Sequence, residues 1–430
     1  MPEPDLQTNT FRVAVLGCKV NQYEAQQIRQ YLEDCGWRLA APHESPDLVV
    51  VHACAVTAEA LRQSLQTARR ASATSRVLIS GCAAAGPFAP LAETAATAIV
   101  PAGVDWRRLL REQLRHWGLP KDGAEFASEA EPLLRRFEGH ARAFVKVQDG
   151  CDAGCAYCIV PRLRGPPRDR PVEAVVAEAR ALAEAGHPEI VVTGVCIGRY
   201  GRDGGPNLAQ LLRRLARIET VQRLRLSSLH PAELTEELLE VWRSTPKLLP
   251  HAHLPLQSGS DAVLRRMRRG YTTADFARAV RALRAALDRP AITTDVMVGF
   301  PGETEAEFEE SLAFVREIAF SRMHVFRFSP RPGTAAAAFE SPVAPEVARE
   351  RAARMNAESK VLSASFHRQF VGETVEALAE SFDERRGRWR GYDERYIPVE
   401  FSAGPEWRGR WVRVRIIGAN ADRALGEVLT

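Results

Sequence analysis

No stretch of this chain is apolar for long enough to span a bilayer. Its opening, MPEPDLQTNTFRVAVLG, also lacks the basic segment and apolar run of a secretory leader. The expectation is therefore a cytoplasmic protein with no membrane partner. A large charge excess is missing too. Lys and Arg number 58 against 54 Asp and Glu, leaving +4. That neither demands nor excludes a nucleic-acid partner, because local patches matter more than the sum. Cysteine is sparse: there are eight, and the last is Cys196. Without a leader, so few thiols point to a reducing compartment and to ligand use rather than a disulfide framework. The composition present, 45% hydrophobic and 26% charged, is ordinary for a globular chain of about three domains at roughly 150 residues each.

Three cysteines stand close together. Cys151, Cys155 and Cys158 lie in VQDGCDAGCAYCIVPRLRG at C-x3-C-x2-C spacing. Three thiolates there can hold three irons of a cubane [4Fe–4S] cluster and leave the fourth open for chemistry, whereas four cysteines suit electron transfer. Zinc would require a further Cys or His at short spacing. The nearest histidines, His140 and His187, are not so placed. The run resembles the signature of the radical S-adenosylmethionine (SAM) enzymes, in which the open iron chelates the methionine part of the cofactor.

From residue 11 to about 118, apolar runs alternate with helical patterns. RVAVLG (12–17), DLVVVHA (47–53) and RVLISG (76–81) read as strands, with a short fourth at TAIVPAG (97–103). Helices are expected over 21–37, over 57–72 and from Asp105. This βαβα order implies an open parallel sheet. Cys18, Cys54 and Cys82 each follow one of the first three strands. Parallel strands end at one edge, where ligands bind in open α/β sheets. The three could form a second cluster site or could be small apolar residues filling strand ends. Cys35, near a helix end, reads as structural.

Residues 141–329 repeat strand and helix about six times. Strands are expected at 143–148, 189–195, 223–229, 251–257, 291–300 and 323–329, which suits a partial (β/α)6 barrel with its chemistry at the C-terminal strand ends. The cysteine triplet follows the first of these strands. Thr193-Gly194-Val195, Ser227-Ser228, Gln257-Ser258-Gly259 and Gly299-Phe300-Pro301-Gly302 follow others. Gly194 allows close backbone approach, Ser227 and Gln257 supply hydrogen-bond partners, and Tyr157 could pack beside an adenine, so these are candidate cofactor contacts. The alternative is ordinary turn chemistry. Cys196 reads as a bystander thiol.

From Phe370 the chain turns to short apolar stretches with turns, expected to form a small antiparallel barrel. It carries RRGRWRGYDERY (385–396) and WRGRWVRVR (407–415). Arg interleaved with Trp and Tyr suits phosphate contacts and base stacking. Arg385, Arg386, Arg388 and Arg390 are the candidate RNA contacts. Residues 368–430 hold 11 Arg and 11 acidic residues, so a solvated surface hairpin is the other reading.

Taken together, LGCKVNQYE, HACAVT, SGCAA, CDAGCAYCIVPRLRG, HLPLQSGSDAVLRRMRRGYT, DVMVGFPGET and FSPRPGT resemble the radical SAM methylthiotransferases over nearly the whole chain. The resemblance implies an N-terminal domain (11–120), a linker (121–138), a radical SAM partial barrel (139–367) and a C-terminal TRAM barrel (368–430) that holds RNA or another substrate. It implies two [4Fe–4S] clusters, an auxiliary one on Cys18, Cys54 and Cys82 and a radical-generating one on Cys151, Cys155 and Cys158. SAM would yield a deoxyadenosyl radical that takes a hydrogen from an unactivated carbon; sulfur is then inserted and a second SAM supplies the methyl group. Implied partners are tRNA, an electron donor such as flavodoxin or ferredoxin, and a sulfur donor. LGCKVNQYE with FRFSPRPGT most resembles the branch that modifies C2 of threonylcarbamoyl-adenosine at position 37, next to the anticodon. The isopentenyl-adenosine branch and the ribosomal-protein aspartate branch are the alternatives within the family. A non-catalytic iron–sulfur RNA-binding protein is the alternative of another class.

Overall fold

The computed structural model describes residues 9–89, 98–101, 106–119 and 133–429. The expected helix start at Asp105, the outer residues of TAIVPAG and most of the expected linker lie outside these residues. The chain divides into two compact units. One comprises Met1–Leu134, Asp149–Arg168 and Ser329–Ala337; the other comprises Arg135–Gln148, Asp169–Phe328 and Ala338–Thr430.

The first unit is built on a five-stranded parallel sheet: β1 (Thr10–Val15), β2 (Arg38–Leu39), β3 (Leu48–Ala53), β4 (Arg76–Gly81) and β5 (Ala98–Pro101), in the order β2-β1-β3-β4-β5. Every residue of the central strand, LVVVHA, is buried. Helices cover both faces, so its apolar run is continuous rather than alternating. The helix Ala58–Ala71 starts where Thr57 Oγ1 accepts from Ala60 N (3.1 Å), an N-cap that satisfies an otherwise orphaned donor. The edge strand β2 was not expected, since two exposed residues carry no pattern to read. Ile159 and Leu163, just after the cysteine triplet, pack in one core with Val49, Ile79 and Phe88.

In the second unit, β6 (Arg142–Asp149), β8 (Glu189–Gly194) and β9 (Arg223–Leu226) run parallel, with the two-residue β7 (Arg168–Asp169) at the edge. A second parallel group holds β10 (His251–His253), β11 (Ala291–Val298) and β12 (Arg322–Arg327). Parallel bridges Leu224↔Leu248 and Ser228↔His253 join the groups, giving six strands of an open barrel. β9 and β10 stop earlier than their apolar runs suggested, because Ser227-Ser228 and Leu254–Gln257 leave the ladder while remaining largely buried. The GFPGET segment resolves into local devices. Glu303 accepts from Gly299 N (2.6 Å) and from Arg351 (2.9 Å), and Thr304 and Glu307 form a capping box for the helix Glu305–Ile318.

After the helix Pro345–Arg368 comes a closed barrel of β13 (Thr374–Asp383), β14 (Arg388–Asp393), β15 (Pro398–Ser402), β16 (Trp411–Ala419) and β17 (Ala424–Val428), in the order β13-β14-β15-β17-β16. The expected antiparallel barrel is so except for its closure, where β15 and β17 pair in parallel. Closure removes free edges. Its core continues into the preceding segments through Ala291, Phe366 and Phe370.

Candidate functional site

Cys18, Cys54 and Cys82 come from the ends of β1, β3 and β4, which are neighbours in the sheet. The register pairs Val15 with His52 and Ala53 with Gly81, so the three strands end level. Cys18 is exposed; Cys54 and Cys82 are buried. Burial pushes the Cys82 thiol up to about 12 and raises Cys54, with Arg164 pulling both the other way. Thiols held neutral like this are poor nucleophiles; bound metal would favour the thiolate.

The glycine before Cys82 is required by the backbone. Gly81 has φ 80° and ψ −156°, a region essentially confined to glycine. A Cβ there would also lie 2.7 Å from Ala53 O. Gly81→Ala is expected to destabilise the first unit by about 1–3 kcal/mol and to lower iron retention at this edge. Denaturation melts with iron quantitation check both.

The loop 151–158 belongs to the same unit. Its base is closed by Cys151 N donating to Gly165 O (3.1 Å), and Cys158 N donates to Cys155 O (3.1 Å). Ala153 N points at Cys151 Sγ (3.4 Å). Gly150 has φ 75°, and a Cβ on it would lie 2.0 Å from Pro166 O. All three cysteines, and Tyr157 between them, are half-buried.

Four thiolates around one zinc, at about 2.3 Å each, sit within roughly 4 Å of one another. Among the described residues, the one group of three Cys, His or acidic donors within 4.8 Å of each other is His253, Asp295 and His324. Neither cysteine trio is that tight. Each set supplies three thiols, the donor set of a cubane with one open iron.

Polar side chains tie the cysteine loops together. Arg164 is buried, and its guanidinium donates to Glu24 (2.8 and 3.0 Å), Asp149 (3.0 Å) and Asn21 Oδ1 (3.1 Å). Asn21 Nδ2 in turn donates to Leu16 O (2.9 Å), two residues before Cys18, and to Ala53 O (3.2 Å), just before Cys54. His52 Nε2 lies 3.1 Å from Glu24. Arg331, from FSPRPGT, donates to Ala55 O (3.3 Å) and lies over the Phe88 ring.

In the second unit the candidate cofactor contacts lie at C-terminal strand ends. Gly194 ends β8; a Cβ on it would lie 2.7 Å from Gln148 O. Ser227 is buried, and its hydroxyl has no hydrogen-bond partner among the described residues. Such an orphan is costly unless a ligand satisfies it. Gln257 takes a left-handed φ of 70°, held by its N donating to Asp295 O and its O accepting from Met297 N. Strain of this kind in a non-glycine residue collects at functional sites. Nearby, Asp295 accepts from His253 (3.2 Å) and His324 (3.2 Å). Burial would raise its pKa, yet these two bonds hold it well below the carboxylate range. Cys196 donates its backbone N to Gln148 Oε1 (2.7 Å), and its Sγ lies 3.2 Å from Glu233. Cys35 is buried in the core with Tyr31 and Trp37.

On the small barrel, Arg385 and Arg386 are exposed. Arg388 pairs with Glu400 (3.3 Å), and Arg390 lies 3.6 Å from Asp383 and 3.8 Å from Glu400. The aromatic half of the expectation needs correction. Trp389 is 1% exposed, with Nε1 bonded to Gly404 O. Tyr392 and Tyr396 stack on each other at 4.4 Å, with Arg142 over both rings. Alternation along a strand sent Trp389 inward while its arginine neighbours point out, so it is not available to stack on a base.

Asn21, Glu24, Arg164, Arg331 and the His253–Asp295–His324 group were not singled out from the sequence. All but His324 lie inside a motif quoted above, and a polar residue inside an otherwise apolar, Cys- or Gly-bearing motif is the signal that could have found them.

The Radical SAM superfamily matches residues 145–315, and the uncharacterized protein family UPF0004 matches residues 10–100. Among solved structures, the radical SAM methyltransferase TsrM from Kitasatospora setae aligns over 77% of each chain with a TM-score of 0.57 and 14% identity, a likeness of fold alone. The Radical SAM match defines an iron–sulfur enzyme that uses SAM. The threonylcarbamoyladenosine tRNA methylthiotransferase MtaB of Thermotoga maritima is 34% identical over 97% of this chain and 99% of its own length. That of Bacillus subtilis is 37% identical over 95% and 94%. A tRNA-2-methylthio-N(6)-dimethylallyladenosine synthase of a Parafrankia species is 35% identical over 97% and 85%. The chain belongs to the radical SAM methylthiotransferase family. Among the described residues no helix is long and apolar enough to cross a membrane.

Proposed function

We propose that this chain is a tRNA methylthiotransferase acting at C2 of threonylcarbamoyl-adenosine at position 37. The observation that carries the reading is the pair of three-cysteine sets, one at neighbouring parallel-strand ends and one in a single short loop, in a chain that spans nearly the full length of relatives so named. Cys151, Cys155 and Cys158 would hold one cluster and Cys18, Cys54 and Cys82 the auxiliary one. With SAM bound, the clusters would supply the chemistry for hydrogen abstraction from an unactivated carbon and for sulfur insertion, and a second SAM would supply the methyl group. Gly194, Ser227 and Gln257 would receive the adenosyl part of SAM, with Ser227 gaining the partner its hydroxyl lacks. An electron donor such as flavodoxin or ferredoxin and a sulfur donor complete the reaction.

Nucleoside mass spectrometry of tRNA from cells lacking the gene tests the substrate. The methylthio group should disappear from threonylcarbamoyl-adenosine and remain on the isopentenyl derivative. The reverse pattern would assign the dimethylallyladenosine branch, whose named members are equally similar in sequence. Loss confined to a ribosomal protein would assign the aspartate branch.

Arg385, Arg386, Arg388 and Arg390 would contact RNA phosphates. Changing all four to Ala should weaken tRNA binding and reduce the log–log salt slope by roughly one unit per lost contact. Arg388 and Arg390 already share Glu400 and Asp383. Arg386 also lies 3.9 Å from Asp383, so Arg385→Ala should give the largest single change in gel-shift titrations at several salt concentrations. An unchanged slope in the fourfold variant would place the RNA elsewhere.

A further inference from the structure

We infer that Arg164 is a positioning residue that joins the radical-cluster loop to the auxiliary-cluster loops and holds up the reduction potential of the auxiliary cluster. This rests on the two-cluster reading above. Three observations support it. First, one buried guanidinium bonds Asn21, three residues after Cys18, and Asp149, two residues before Cys151. The same Asn21 bonds the carbonyl of Ala53, the residue before Cys54. A single side chain thereby orders three of the backbone segments that carry ligands. Second, Asn21 Oδ1, which accepts from Arg164, lies 3.8 Å from Cys18 Sγ, so the guanidinium charge sits one side chain away from a ligand sulfur. In a buried setting such a charge is poorly screened. Third, its charge is outnumbered by the two carboxylates it binds, Glu24 and Asp149. Arg164→Gln would leave two negative charges beside a cluster whose potential depends on net charge and hydrogen bonding.

Adding an electron to a cluster is harder beside uncompensated negative charge. Arg164→Gln should therefore lower the auxiliary potential, and Glu24→Gln should raise it. Arg164→Lys keeps the charge but loses the planar fork that reaches Asn21 and Asp149 together; its potential should lie between those of the parent and Arg164→Gln. A residue that merely filled space would not give shifts of opposite sign.

The test uses the full chain with Cys151, Cys155 and Cys158 changed to Ala, reconstituted anaerobically so that about four irons remain. Potentials are read by EPR-monitored redox titration in this parent and in the three variants. Opposed shifts for Arg164→Gln and Glu24→Gln, with iron retained, support the inference. Equal potentials, shifts of the same sign, or iron lost from all three variants would make Arg164 a structural ion pair and overturn it. A parent that holds no iron would remove the auxiliary site itself. That failure is told apart from the others because it appears before any change at Arg164.

Discussion

Changing any one of Cys151, Cys155 and Cys158 to Ala is expected to abolish release of deoxyadenosine from SAM, whereas changing Cys18, Cys54 or Cys82 should stop sulfur insertion and leave some deoxyadenosine formation. The reason is the differing architecture of the two sets. The triplet lies in one short loop whose base is closed by the Cys151–Gly165 bond. With one thiolate missing, the remaining two cannot hold three irons with the fourth open for the cofactor. The other set is spread over three strand ends and would present its cluster to a different step. Iron analysis should give about eight per wild-type chain and about four when either full set is replaced. Equal and complete loss of deoxyadenosine in both sets, with the fold intact by circular dichroism, would contradict the division. Cys35→Ala and Cys196→Ala should keep both activities. Cys35 sits in an apolar core, and Cys196 is oriented by Gln148 and Glu233. Cluster loss in either variant would show that a ligand had been misassigned.

Elements whose signal is local were legible in the sequence. RVLISG (76–81) coincides with β4, and the level ends of β1, β3 and β4 follow from parallel pairing alone. That is enough to bring Cys18, Cys54 and Cys82 to one edge. Features that depend on partners far along the chain were not legible. Nothing in PRLRG shows that Arg164 finds Glu24, 140 residues away. Nothing in HAHLPLQ or MHVFRFS shows that His253 and His324 share Asp295. Trp389 was misjudged for a related reason: the composition of RRGRWRGYDERY describes a polar aromatic surface, but the strand's two-residue period decides which face each side chain takes. The parallel closure between β15 and β17 is likewise a matter of topology, which short alternating strands do not specify.

Arg225→Ala is expected to be the most destabilising single change in the second unit, by about 3–5 kcal/mol. Arg225 is 1% exposed. It binds Glu189 through two bonds (2.6 and 3.2 Å) and reaches across to the carbonyls of Asp393 and Glu394 in the small barrel. It also stacks over Tyr396 at 4.6 Å. Removing it takes away the two-bond partner of the buried Glu189, which keeps Arg142 at 3.8 Å, and two carbonyls lose a donor. The loss should appear as a fall of roughly 10 °C in melting temperature, at about 2–4 °C per kcal/mol for a body of this size. It should also speed proteolysis at the start of the small barrel. Iron content should not change, because all six proposed cluster cysteines belong to the other unit. Pairing Arg225→Met with Glu189→Leu should recover much of the stability, since the cost lies in the orphaned charge rather than in the absence of an ion pair. A single variant that melts like wild type would mean that water reaches Glu189 and that the junction is looser than its hydrogen bonds imply. The same geometry explains why deleting residues 370–430 is a poor probe of RNA binding. Deletion would strand Arg142 and Arg225 and uncover Phe366 and Ala291, so a loss of binding could follow from unfolding alone. Substitutions at the exposed Arg385 and Arg386 leave that junction untouched, and they separate the two causes.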